Sequence, residues 1–383
     1  MKRLFLVAAL VGVAFTSCVK NEDGALVEQA SEITFEVAKY KPAATRAEVD
    51  FPVLNTFGTF AFYENTETPG HSVYMNNVEI IHRPSEGPGY WASRTGQYFW
   101  PIQGHLDFIS YSPYKAYASG EDFGTEFQNS SIPTITSTST GVQDQLQYLD
   151  FVNNPDAPID LMYSDKAMQQ IVNTANYGFV GVPTLFHHAL SKLNFQVKAF
   201  RVDNKDIVGA ANATTWEVTL NSIEIKDIYN KGTLTLKTEN AHNAGATTVQ
   251  WANQHTSGKD VWAFDAGSTT SKAWVHDQVL TTTPVLYGSG SSFARDYFIL
   301  PQILIPTQQK IVVKYTIKTT APSGQVGTEE YTAERYFDEF TAVDDWLMGK
   351  NITYVIDIDP MGDEIHFAPK VVDWVDVSGV ISI

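Results

Sequence analysis

Apolar and polar residues alternate along much of the chain. The alternation is clearest in four stretches: SEITFEVAKY, FGTFAFYEN, SKLNFQVKAF and QKIVVKYTIKTT. These stretches are rich in Val, Ile, Thr, Tyr and Phe, and Gly, Pro, Asn and Asp lie between them. Period-two patterning of this kind is typical of half-buried antiparallel strands. We therefore predict an all-β fold of two stacked sandwiches.

Helical periodicity is scarce. The best candidates, residues 143–152 and 341–347, are too short to be the repeated crossover helices of a βαβ fold. A length of 383 residues suggests about two domains. We place their boundary in GVPTLFHHALSKLNF, where a polar loop gives way to a new strand. The predicted domains are therefore residues 47–186 and 187–383.

The amino terminus has the features of an export signal. It reads MKRLFLVAALVGVAFTS, a basic start followed by an apolar run that is too short to cross a membrane. The chain has one cysteine, Cys18, which comes next. Thr16, Ser17 and Cys18 resemble the lipobox of bacterial lipoproteins. We interpret residues 1–18 as a lipoprotein signal peptide and Cys18 as the lipidation site; an ordinary signal peptide with an incidental cysteine is the alternative.

The charge argues against nucleic acid as a partner. The formal net charge is -17 and the pI is about 4.9. Nucleic acids and anionic membrane surfaces both require clustered cations, and no Lys/Arg-rich block is present in the sequence. We expect neither as a partner.

No sequence motif indicates catalysis. HExxH, P-loop, GxSxG and CxxC patterns are absent from the sequence. SPYK at 112–115 matches a Ser-x-x-Lys pattern, but it follows a strand-like run where that motif requires a helix. His187 and His188 are adjacent, so in a strand they face opposite ways and do not chelate a metal together. Asp344 and Asp345 fit a turn or helix start better than a carboxylate pair. We predict no enzyme activity, no metal and no cofactor.

A series of sequence blocks resembles those of fimbrillin-like proteins, the pilins and accessory subunits of lipoprotein-derived type V pili. In chain order the blocks are FGTFAFY (57–63), YFWPIQGHLDFISYSPY (98–114), DLMYS (160–164), FHHALSKLNFQV (186–197), YFILPQ (297–302), YVIDI (354–358) and VVDW (371–374). The resemblance implies two tandem transthyretin-like antiparallel β-sandwich domains. It also implies a lipoprotein that is held at the outer membrane by its lipid before processing and is then assembled into a cell-surface fimbrium. Its implied partners are other pilus subunits and a host or bacterial surface receptor.

The resemblance also implies proteolytic processing. In fimbrillins a trypsin-like protease cuts after an arginine that follows the first strand, and Arg46 and Ala47 match that site. Residues 19–46 are then a leader whose strand places Ile33, Phe35 and Val37 on one face. Removing a strand exposes unpaired backbone groups, which a strand from another subunit refills by β-augmentation. The alternative is that Arg46 is a solvated linker residue.

The carboxy-terminal VVDWVDVSGVISI alternates as well, with Val375, Val377, Ile381 and Ile383 on one side. This tail is either a donor strand for a neighbouring subunit or the last strand of its own domain. Stalk, anchor and tip roles all stay open, although the polar insertions at 119–140 and 240–292 favour an accessory or tip subunit.

A surface lipoprotein that binds glycans or other nutrients is the alternative function. The chain has eight tryptophans, several of them between Trp251 and Trp274, and such rings can form a platform for sugars. Retention of the leader would favour this function, and its loss at Arg46 would favour the pilus.

Overall fold

The computed structural model describes residues 31–39, 49–64, 71–87, 89–115, 136–138, 141–143, 146–152, 159–171, 181–229, 231–236, 249–255, 262–265, 278–287, 297–340, 345–361 and 364–373. Strands make up nearly all of their regular secondary structure, which confirms the predicted all-β class. Within these ranges, no helix has the length and apolar character needed to cross a membrane.

The amino-terminal strands, in chain order, are β1 (Phe35–Lys39), β2 (Val49–Asp50), β3 (Phe57–Glu64), β4 (His71–His82), β5 (Trp91–Ser93), β6 (His105–Ser112), β7 (Thr136–Thr138), β8 (Gly141–Gln143), β9 (Leu146–Val152), β10 (Met162–Ser164), β11 (Ala167–Gln170) and β12 (Val182–His188).

The carboxy-terminal strands are β13 (Ser191–Ala199), β14 (Thr215–Lys226), β15 (Lys231–Leu236), β16 (Val249–His255), β17 (Trp262–Asp265), β18 (Gln278–Leu280), β19 (Val285–Tyr287), β20 (Tyr297–Ile299), β21 (Gln302–Ile303), β22 (Lys310–Thr320), β23 (Val326–Tyr336), β24 (Asp345–Trp346), β25 (Lys350–Asp359) and β26 (Glu364–Asp373). The described helices are short: α1 (Lys205–Val208) and the 3-10 turns Pro84–Glu86, Ala210–Asn212 and Phe337–Glu339.

Seven strands of the amino-terminal half form a closed ring in the order β10, β12, β1, β5, β4, β3, β6. The ring closes because β10 pairs with β12 on one side and with β6 on the other. Its inward-facing apolar residues form the ring core: Ile33, Phe35, Phe51, Phe57, Ala61, Met75, Val78, Ile80, Trp91, Trp100, Leu106, Phe108, Met162, Ala167, Val182 and Phe186.

The carboxy-terminal half contains two sheets that share one buried cluster. One sheet has the order β19, β13, β25, β26, and the other has the order β17, β14, β22, β23. Alternation in β25 explains the packing, because Ile352, Tyr354, Ile356 and Ile358 are all buried while the residues between them are partly exposed.

A third cluster of buried residues, the middle cluster, joins the two halves. It contains Phe60, Phe62, Ile109, Tyr111, Phe151, Leu161, Ala189, Leu190, Leu234, Phe298 and Leu300. Successive side chains of a strand point to opposite faces, so β3 directs Phe57 and Ala61 into the ring core and Phe60 and Phe62 into the middle cluster. Both faces of β3 are therefore buried.

The structure differs from the predicted pattern in two places. Two pairings are parallel, β1 with β12 and β13 with β25, where antiparallel pairing is predicted. The candidate helix at 143–152 is wrong, because residues 146–152 form β9 and pair with β15 of the other half. Residues 186 and 187 both lie in β12, and the division into domains at 47–186 and 187–383 stays a prediction. The first sheet closes on itself, and the description as two tandem transthyretin-like sandwiches stays a prediction.

Candidate strand-exchange site

Residues 31–39, here called the leader strand, lie inside the ring with hydrogen bonds on both sides. The amide of Ile33 donates to the carbonyl of Tyr98 at 2.7 Å. On the opposite side, the amide of Val182 donates to the carbonyl of Thr34, also at 2.7 Å, and β1 then continues in parallel register with β12. The leader strand is therefore one of the strands that close the ring.

One face of the leader strand is buried in the ring core. Ile33 and Phe35 are each 2% exposed, and Val37 packs at the margin of the core. The ring of Phe35 makes edge contacts with Phe57 and Phe108, at centroid distances of 5.6 and 5.7 Å. The leader residues Ile33, Phe35 and Val37 lie on the inner face that the alternation predicts, and their removability remains a prediction.

Phe51 packs the segment that follows the leader strand against the domain. Its ring stacks on Phe186 at 4.8 Å and makes an edge contact with Trp91 at 5.5 Å. Neither partner belongs to the leader strand. Phe51 therefore contacts residues of the domain that lie outside the leader strand, although β2 directly before it pairs with Ala38 and Lys39 of that strand.

Gly181 lies immediately before β12 and against the backbone of the leader strand. A Cβ built at this position would stand 2.7 Å from the carbonyl oxygen of Thr34 and 2.9 Å from the carbonyl carbon of Phe35. Any side chain here would push the two strands apart, so glycine permits the close approach.

The amino-terminal end of the leader strand is held by a polar cluster, the Glu32 clasp, formed by Glu32, Arg83, Tyr90 and Gln97. The Arg83 guanidinium lies 3.6 Å from Glu32 Oε1. The Tyr90 hydroxyl donates to Glu32 Oε2 at 3.2 Å, and Gln97 Nε2 donates to the same oxygen at 3.4 Å. Burial and the neighbouring Glu32 carboxylate raise the pKa of Tyr90, which keeps its hydroxyl protonated as a donor.

A cleft of about 310 Å³ opens beside this end of the strand. It is lined by Thr34, Phe35, Glu36, Glu86, Gly87, Gly89 and Tyr90. The leader strand forms one wall, and the connection between β4 and β5 forms the other.

Most of the other predicted site residues lie outside the described residues. These are the lipidation residue Cys18, the processing pair Arg46 and Ala47, and the candidate donor residues Val375, Val377, Ile381 and Ile383. Their roles remain predictions.

The two adjacent histidines contact different carboxylates. His187 Nε2 lies 3.0 Å from Asp165 Oδ1, and His188 Nδ1 lies 2.8 Å from Asp160 Oδ1. Among the residues that the structure describes, no group of three or more His, Cys, Asp or Glu side chains is arranged to hold a metal.

Trp251, one of the candidate sugar-binding rings, is partly buried. Its Nε1 donates to the carbonyl of Ala189 at 2.8 Å, and its ring lies 5.6 Å from that of Phe151. Part of this tryptophan is therefore covered by the middle cluster.

These features define an all-β protein whose first sheet is completed by an amino-terminal strand. The profile of the fimbrillin-like family matches residues 45–374, and the chain belongs to that family. It is thus a fimbrial subunit of the cell-surface fimbrium. The leader strand precedes the matched region.

Solved structures resemble the chain over most of its length. A fimbrial protein from Bacteroides vulgatus ATCC 8482 is 18% identical with a TM-score of 0.49, covering 90% of this chain and 99% of that chain. The fimbrial anchor protein Mfa2 from Porphyromonas gingivalis is 10% identical with a TM-score of 0.29, covering 90% and 98%. The curated proteins include no significant match.

Proposed function

We propose that this fimbrial subunit is assembled by strand exchange. The chain is exported as a lipoprotein through acylation at Cys18, cleaved between Arg46 and Ala47, and then receives a strand from another subunit in place of the leader strand. Its two halves are proposed to be transthyretin-like sandwiches, and its position in the fimbrium is proposed to be accessory or at the tip.

The observation that carries this proposal is the position of the leader strand within the ring. It pairs with β12 along one side and with residues around β5 on the other, so its loss would leave two unpaired edges. It would also open the ring core where Ile33 and Phe35 are buried. β-Augmentation requires such a groove, because its backbone groups form the hydrogen bonds that give affinity and its apolar pockets select the side chains of the incoming strand.

Two further features support the proposal. Arg46 follows the leader strand and precedes Phe51, which has its own contacts with the body of the domain. Cleavage after Arg46 would therefore separate the leader strand and leave Phe51 on the retained chain. The family match also begins at residue 45, next to the proposed cleavage site.

The test is the amino-terminal residue of the protein in native filaments. We expect mass spectrometry to find a chain that starts at Ala47 and lacks residues 31–39. Arg46→Ala should accumulate as a longer, unassembled species, whereas Lys41→Ala, which removes a basic residue from the same stretch, should assemble normally. Filaments in which residues 31–39 remain attached would contradict strand exchange into this groove.

A further inference from the structure

We propose that Arg83, Tyr90 and Gln97 form a carboxylate-binding site that selects the strand replacing the leader. The inference rests on the proposed strand exchange. The occupant is a strand of another subunit in which Asp or Glu directly precedes the first inward-facing apolar residue.

The leader strand itself shows how such an occupant is bound. Glu32 lies directly before Ile33, the first fully buried residue of the strand, and its carboxylate contacts all three side chains. None of the three belongs to the leader: they lie in the β4–β5 connection and just after β5. They therefore stay with the body of the protein when the leader leaves.

The guanidinium of Arg83 is positioned independently of Glu32. Its Nη2 donates to the backbone carbonyl of Ser93, and its Nη1 donates to Glu86 Oε1 at 3.4 Å. The Arg83 side chain is only 19% exposed, whereas that of Glu86 is 45% exposed. A strand without a carboxylate would leave this largely buried cation with one carboxylate partner, the exposed Glu86, which is unfavourable.

The site also sets the register of the incoming strand. A slip of one residue would turn the apolar face outward, and the buried ring core already opposes this. A slip of two residues keeps the apolar face inward but moves every side chain by roughly 6.6 Å along the groove. The carboxylate position discriminates against this second slip, because a displacement of that size breaks all three contacts.

The tail of this chain also carries an acidic residue before an apolar one. Asp376 directly precedes Val377, the second residue of the candidate donor face, as Glu32 precedes Ile33 in the leader strand. A second copy of the chain therefore carries the selected pattern when Val377, and not Val375, takes the place of Ile33.

The test uses the full chain with one site-specific protease sequence inserted after Arg46. The chain is cut at that sequence and is then mixed with labelled peptides of sequence SEITFEVAK. Fluorescence anisotropy measures how strongly each peptide replaces the leader strand. The Glu32→Gln peptide should bind about 10-fold more weakly, because hydrogen bonds to charged groups contribute on that order. The Glu36→Gln peptide is the matched control, since Glu36 is exposed, and should bind within about twofold.

Variants of the body complete the test. Arg83→Gln should reduce the difference in binding between the parent peptide and the Glu32→Gln peptide, whereas Arg94→Gln should preserve it, because Arg94 pairs with Glu79 and not with the leader strand. If Arg83→Gln fails to fold, the peptide comparison on the parent chain decides. Equal binding of all peptides would overturn the inference and leave strand exchange standing. Failure of every peptide to bind would overturn both the carboxylate-binding site and the proposed strand exchange.

Discussion

The carbonyl oxygen of Thr34 stands over Gly181 so closely that a Cβ on residue 181 would lie 2.7 Å from it. Real Cβ atoms are not found at that distance, and the near neighbour is backbone, which cannot rotate away. The fit between the leader strand and β12 therefore depends on a missing side chain as much as on the apolar residues that fill the ring core.

We expect Gly181→Ala to destabilise the full chain by about 1–3 kcal/mol, as overpacking commonly does. The alanine must push the leader strand away from β12, so the effect should also appear as weaker peptide exchange in the nicked chain. Gly327→Ala is the control, since nothing lies within 4 Å of an added Cβ there. Urea denaturation of the two variants measures the difference, and equal midpoints would contradict the prediction.

We expect Phe35→Ala to lower the free energy of unfolding of the unprocessed chain by about 3–5 kcal/mol, because it leaves a cavity between Phe57 and Phe108. The neighbouring Glu36 is exposed, and Glu36→Ala should change that free energy by less than about 0.5 kcal/mol. Chemical denaturation of both variants checks the prediction. A small effect of Phe35→Ala would mean that the leader strand adds little to the stability of the precursor.

Cys18→Ala should give an unlipidated precursor that does not reach the outer membrane, because the chain has no other cysteine to acylate. Ser17→Ala keeps a small residue before the cysteine and should be lipidated normally. Labelling cells with an acyl-chain analogue measures the modification. Equal labelling of Cys18→Ala and the parent would refute lipidation at this residue.

Truncation after Trp374 tests the tail. If Val375, Val377, Ile381 and Ile383 fill the groove of a neighbour, the shortened subunit should fold normally and still receive a strand, but it should no longer extend a filament. Loss of an internal strand would instead remove buried side chains at about 1.5–3 kcal/mol each and unfold the domain. A thermal melt and a polymerisation assay distinguish the two outcomes. A normal melt together with normal filaments would mean that the tail has no part in assembly.

The alternation of the sequence predicts individual strands well. SKLNFQVKAF forms β13 and QKIVVKYTIKTT forms β22, since period-two burial is a local property of each segment. The prediction from local pattern fails for residues 146–152, because their pairing with β15, far along the chain, decides their conformation.

Long-range relationships are not readable from the pattern. The Glu32 clasp joins residues 58 and 65 positions apart, and its arginine, tyrosine and glutamine look like ordinary loop residues in the sequence. Closure of the ring likewise depends on β10 pairing with both β12 and β6. Gly181 gives no signal beyond that of a glycine before a strand.

The sheet formed by β16, β15 and β9 takes its outer strand β9 from the first predicted domain and its other two strands from the second. Phe151 of that outer strand lies in the same buried cluster as Phe60 and Phe298. Unfolding of either half would therefore remove backbone hydrogen-bond partners and buried apolar contacts from the other half. Heat should unfold the described parts of both halves in a single cooperative transition, with matching calorimetric and van't Hoff enthalpies.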